Sequence, residues 1–232
     1  MKKQIANGIM ILSLAGLSPS FAQAQGTVAY VSNVGRPQAG SLAVGSDSWV
    51  GNQFMVGTNT GGYALNSVQL AMAAAAGNPN GFTVALYATW AGVTPYHGAG
   101  DASFILPLLG STNPSTAGIY TYTPQTALDL SQSYIYSVVL TAGTSVANGS
   151  YNWSEADGAL GLSDGWNSAY FLFNSSDGLV WSDNPTPNGS YPEFAVSAVT
   201  VPEPGVPAFW GIGIFLFCLW RKLPDRTDNN AA

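Results

Sequence analysis

Thiol chemistry is nearly absent from this chain. Its 232 residues include one cysteine, Cys218, so no intramolecular disulfide can form. The fold must be held by its core or by bound metal. Charge is also scarce, at 8% of residues. Between Gln25 and Thr200 the only base is Arg36, set against nine acids spread from Asp47 to Glu193. Binding a phosphate backbone needs clustered Lys and Arg, which argues against nucleic acid as a partner. There is one histidine, His97. A Ser-His-Asp hydrolase would have to use it as base, yet no G-x-S-x-G elbow accompanies it. In Pro95-Tyr96-His97-Gly98 it reads as a loop residue.

Long helical periodicity is missing from the body as well. What stands there instead is a series of short apolar alternations broken by Gly, Pro, Asn and Asp, the all-β pattern. Expected strands are Val28–Val31, Trp49–Val56, Leu65–Met72, Phe82–Thr89, Ile119–Thr123, Ile135–Thr141, Ser150–Trp153, Ala169–Phe173, Gly178–Trp181 and Glu193–Thr200. Phe104–Leu109 contains Pro107 and reads as an edge or a coil. Ala73–Ala76 reads as the frayed end of its strand, stopped at Gly77-Asn78-Pro79-Asn80-Gly81. Across that turn, Leu65–Met72 and Phe82–Thr89 are expected to pair as an antiparallel hairpin. Many short strands with frequent turns predict an antiparallel β-sandwich or jelly roll over residues 25–200.

The two ends differ in kind. Lys2 and Lys3, an apolar stretch from Ile9 to Leu17 and Ala22-Gln23-Ala24 make a charged region, a hydrophobic region and an A-x-A site. This is a secretory signal peptide over residues 1–24, read by the secretion machinery and signal peptidase. At the other end stand Pro202-Glu203-Pro204, an uncharged apolar run from about Val206 to Trp220, and then Arg221, Lys222 and Arg226. A helix over Val206–Trp220 spans about 22 Å, a short transmembrane helix against a hydrocarbon core of about 30 Å. Trp210 and Trp220 suit the two interfaces. The basic cluster is the topology anchor, which places it in the cytoplasm and the body outside. Two prolines hold Glu203 in extended backbone that an enzyme groove can read.

Residues 201–232 resemble the PEP-CTERM sorting signal of Gram-negative bacteria, through Pro202-Glu203-Pro204, the short apolar span and Arg221-Lys222. The resemblance implies that an exosortase, a membrane-embedded cysteine protease/transpeptidase, recognises the tail. It also implies an association with extracellular polysaccharide. Part of the body is similar to the choice-of-anchor R domain. The matching stretches are Gln53-Phe54, Gly57-Thr58-Asn59, Gly61 to Val68, Val84 to Tyr87 and Tyr134–Leu140. That group implies export and surface display and supplies no catalytic residues.

The body's own chemistry leaves alternatives open. Trp153, Trp166 and Trp181 lie in a Gly/Asn/Asp-rich region, where they could stack on sugar rings or fill a core. Of the acids Glu155, Asp157, Asp164, Asp177, Asp183 and Glu193, Asp157, Asp164 and Asp177 each precede glycine in a turn dipeptide, and none sits in a recognisable catalytic motif. The loops of Glu155–Asp183 offer oxygen ligands that suit a structural Ca²⁺, without an EF-hand pattern. No other cofactor or metal is expected, and no catalytic residue is assigned. The reading is an exported, non-enzymatic surface or matrix protein. It would be anchored transiently in the inner membrane and then reach the cell surface or matrix. The alternatives are a polysaccharide-binding module or a glycan-active enzyme.

Overall fold

The computed structural model describes residues 28–91, 104–105, 112–158, 160–167, 172–183 and 189–202. The signal peptide, His97, Glu203, Pro204, the 206–220 span and Arg221, Lys222 and Arg226 lie outside them. Among the described residues no helix is long and apolar enough to cross a membrane.

Fifteen strands lie among the described residues. The first five are β1 (Val28–Ser32), β2 (Gln38–Val44), β3 (Trp49–Met55), β4 (Tyr63–Gly77) and β5 (Thr83–Trp90). Then come β6 (Phe104–Ile105), β7 (Gly118–Tyr122), β8 (Asp129–Leu130), β9 (Tyr134–Thr141) and β10 (Gly149–Asp157). The last are β11 (Gly161–Leu162), β12 (Leu172–Ser175), β13 (Ser182–Asp183), β14 (Ser190–Pro192) and β15 (Phe194–Thr200). They form two antiparallel sheets. One has nine strands in the order β11-β1-β15-β4-β10-β14, with β2 on β10 and β7 and β8 on β4. The other has six, in the order β13-β12-β3-β9-β5-β6.

The core lies between the sheets and follows the period of two that a strand imposes. From the larger sheet come Val68, Leu70, Met72, Tyr151, Trp153 and Val196; from the smaller, Val50, Phe54, Val84, Leu86, Tyr136, Val138 and Leu140. The alternation of Tyr136, Val138 and Leu140 marks the inner face of β9. A second, smaller cluster sits on the outer face of the six-stranded sheet. There Phe173, Val139, Ala85 and Tyr87 are buried, with Trp49 and Trp181 packed against them.

The expected hairpin does not form. Leu65–Met72 lies in β4, whose partners are β15, β10, β7 and β8. Phe82–Thr89 lies largely in β5, which pairs with β9 and β6 in the other sheet. Both strands turn their apolar residues to the same core, so they meet face to face rather than edge to edge. The Gly77–Gly81 connection crosses between the sheets, with Gly77 at φ +64° and the Pro79 carbonyl held by the Tyr151 hydroxyl at 3.0 Å. The expected strand at Gly178–Trp181 is a tight turn, and the strand there is Ser182–Asp183. Ala73–Ala76 continues β4, because Gly149 and Ser150 of β10 pair with Gly77 and Ala76.

The C-terminal segment switches neighbours within one sheet. β14 pairs with β10 and β15 with β4, and Glu193 is the break between them. Its N–H donates to the Ser154 carbonyl at 2.7 Å, and its carbonyl accepts from Ala71 N at 3.0 Å and from the Trp153 indole at 3.0 Å. The buried carboxylate accepts from Gly35 N at 2.5 Å. Asn33 completes the join, donating to the Pro192 carbonyl at 3.1 Å and accepting from Phe194 N at 2.8 Å. Every polar group named here is met, as burial demands.

Candidate functional site: the exit of the C-terminal strand

β15 hydrogen-bonds on both sides, to β1 and to β4. Its last pair is Thr200 with Tyr63. Beyond it the backbone is held for one more residue. Val201 N donates to the Gly62 carbonyl at 3.0 Å. The Asn59 side-chain amide donates to the Gly62 carbonyl at 2.6 Å and to the Val201 carbonyl at 3.1 Å. Gly62 N in turn donates to the Asn59 carbonyl at 2.9 Å. Gly62 is at φ +80°, and a β-carbon there would lie 2.8 Å from the Leu130 carbonyl oxygen. The turn therefore requires glycine. Pro202 follows, exposed and without an N–H to give. Among the described residues the last backbone bonds that hold the chain are those to Val201, two residues before Glu203.

Asn59 is thus a clasp between the 59–62 turn and the root of the tail. Replacing it with alanine removes both side-chain bonds, at a cost of about 1–2 kcal/mol. The urea unfolding midpoint should fall accordingly; an unchanged midpoint would show that the clasp contributes nothing.

The three tryptophans do not assemble into one platform. Trp153 is fully buried between the sheets. Trp166 is 3% exposed and lies in an aromatic stack, 4.7 Å from Tyr30 with an 8° interplanar angle and 5.8 Å from Phe54 at 10°. No sugar ring can reach either face of these residues, which is the core alternative realised. Trp181 is half-buried on the outer face of the six-stranded sheet, edge-on to Phe173 at 5.1 Å and to Trp49 at 6.3 Å. Its indole N–H is spent on the Gly178 carbonyl at 3.1 Å. The Trp49 ring was not singled out by sequence, although it is Trp181's neighbour in space.

The acids serve the fold in several places. Asp177 Oδ1 accepts from Leu179 N at 2.8 Å, Val180 N at 3.1 Å and the Ser175 hydroxyl at 3.1 Å. The Leu179 and Val180 amides hold its carboxyl below the ordinary value. Glu155 is half-buried on β10, opposite Gly40 and Pro192. Burial pushes its carboxyl up, and the Ser190 hydroxyl partly offsets this. Among the described residues no three of Asp, Glu, His and Cys gather where they could hold a metal ion.

The Glu155 shift has a defined consequence for stability. An acid with a raised pKa in the folded state binds its proton more tightly there than in the unfolded chain. Ionisation then costs stability, and the cost grows as pH rises from the unfolded pKa through the folded one. Glu155→Gln should therefore melt above the native protein at neutral pH and level with it at acid pH below both values. A melting difference that does not change with pH would contradict this.

No family model, curated protein or solved structure matches the chain.

Proposed function

We propose that this chain is an exported, non-enzymatic surface or extracellular-matrix protein, sorted and processed by an exosortase through Pro202-Glu203-Pro204. One observation carries the reading: the two-proline motif begins at Pro202, an exposed residue directly after the backbone bonds to Val201. The domain's hydrogen bonding is complete through Val201, and Pro202 is exposed. A processing enzyme can therefore draw the signal into its groove without unfolding β15. Glu203 is the recognised side chain. Val206–Trp220 is the membrane stop, and Arg221, Lys222 and Arg226 keep the far end in the cytoplasm.

The body supports a displayed domain. Glu193 and Asp177 use their carboxylates on backbone N–H groups, which is structural work. The polysaccharide-binding alternative keeps Trp181 alone of its three tryptophans. The test of the proposal is Pro202→Ala with Glu203→Ala in the producing cell, read as the ratio of full-length to processed chain on an immunoblot. Full-length protein should accumulate in the membrane, and normal processing would overturn the reading.

A further inference from the structure

An antiparallel sheet ends in strands whose outer backbone groups have no partner, and proteins blunt such edges by keeping them short, charged, bulged or covered. Most edges here are short. β6, β11 and β13 have two residues each and β14 has three. β7 has five. β2 stands apart with seven residues, Gln38-Ala39-Gly40-Ser41-Leu42-Ala43-Val44. It pairs with β10 along one side, from Tyr151↔Val44 to Ala156↔Gln38, and no strand among the described residues pairs with its other side.

β2 has one such protection, a break in its ladder at Ala39, between the Gly40↔Glu155 and Gln38↔Ala156 pairs; from Gly40 to Val44 the pairing is regular and the other protections are missing. It carries no charge and no proline. Gln38, Ala39 and Ser41 are exposed, and small side chains at Ala39, Gly40, Ser41 and Ala43 let another backbone approach. Leu42 packs against the core from the other face, so the strand is held in place. Gln38 Nε2 donates to the Gly40 carbonyl at 3.2 Å on the surface, a bond that a pairing strand would replace.

Charge at the two ends of β2 selects the partner. Arg36, the only base of the described residues, lies just before the strand and is exposed. Asp47 lies just after it, also exposed, with one oxygen accepting from Val146 N at 2.8 Å. In an antiparallel pair of two copies centred on Ser41, Arg36 of each copy meets the Asp47 end of the other. A parallel pair would set Arg36 against Arg36. An acidic domain repels its own kind at most surfaces, and this orientation provides two attractive contacts. We infer that β2 is a self-association edge: two copies of this chain join their nine-stranded sheets antiparallel through β2, about a two-fold axis at Ser41. Such an interface is isologous and closes on itself as a dimer.

Ser41 gives a direct test. Residues facing each other across an antiparallel pair have Cα atoms about 4.5–5.5 Å apart, within the range that a disulfide spans. The full-length chain with Cys218→Ser and Ser41→Cys, exported by cells, should run as a disulfide-linked dimer on a non-reducing gel. Cys218→Ser with Ile119→Cys, at an exposed position on β7, should not. Equal and low dimer yields from the two would overturn the proposal. Ser41→Lys, at an exposed site that the fold tolerates, should convert the detergent-solubilised native protein to monomer in light scattering. A dimer that survives it would overturn the assignment to β2. Arg36→Gln, and Asp47→Asn, which keeps the acceptor for Val146, should each weaken the dimer a few-fold and make it less salt-sensitive. A dimer indifferent to both would overturn the antiparallel orientation.

Discussion

Trp153→Ala should remove a large share of the protein's stability at one stroke. Trp153 is the largest of the fully buried side chains among the described residues. It faces Met72 across one ladder and Leu42 across the other, so it lies where β2, β10 and β4 share the core. Its ring meets Phe194 edge-on at 6.1 Å. Truncating a buried Trp or Phe to alanine costs about 3–5 kcal/mol, through lost burial and the cavity left behind. A domain's whole stability is about 5–15 kcal/mol, so a large share goes. The hydrogen bond is the smaller part. The Glu193 carbonyl that the indole reaches also accepts from Ala71 N and keeps a partner when the indole is gone. Trp153→Phe, which retains an aromatic ring and loses the N–H, should therefore cost much less than Trp153→Ala. Urea midpoints for the two variants check this. Equal losses would place the weight on the hydrogen bond, and an alanine variant as stable as the native protein would remove Trp153 from the core.

The same residue shows what could be read in the sequence and what could not. Alternation along Ser150–Trp153 marked a strand, and tryptophan bulk favoured the core, because burying a large apolar ring is the stronger drive. Most strand positions were legible for the same reason: a period of two assigns residues to faces. It does not assign neighbours. Val68, Leu70 and Met72 of β4 and Val84 and Leu86 of β5 present the same pattern whether they lie side by side or across a core. The short connection suggested a hairpin where the chain instead changes sheets. β2 escaped notice because Gln, Gly, Ser and Ala carry little strand preference and its seven residues show no alternation. Its place is set by β10. The polar joints were invisible for another reason. Asn33 and Asn59 stand in Gly/Asn-rich stretches that read as loops, and their amides find partners far along the chain, at Pro192 and Val201. Glu193 reads in sequence only as the first residue of the closing strand; its burial follows from the strand switch, which no local pattern encodes.

The tail variants should give the opposite result to Trp153→Ala: no change in folding and a loss of processing. Pro202 has no N–H for the fold to use and is exposed, while the last bonds among the described residues are to Val201. Pro202→Ala with Glu203→Ala thus removes the two-proline, charged signal, and at Pro202 it breaks no backbone N–H bond. The unfolding midpoint should stay within the small range of surface substitutions, about 0.5 kcal/mol, while the processed form disappears and full-length chain collects in the membrane. Asn59→Ala reverses the pattern. It loosens the root of β15 and lowers stability, but Pro202-Glu203-Pro204 is left intact, so on the proposed reading processing should continue. The two variants together separate the fold from the sorting signal. If loss of Asn59 alone stopped processing, the enzyme would need the clasped root as well as the motif. If the Pro202 and Glu203 changes lowered the melting temperature as far as Asn59→Ala does, the boundary between domain and tail would lie beyond Val201.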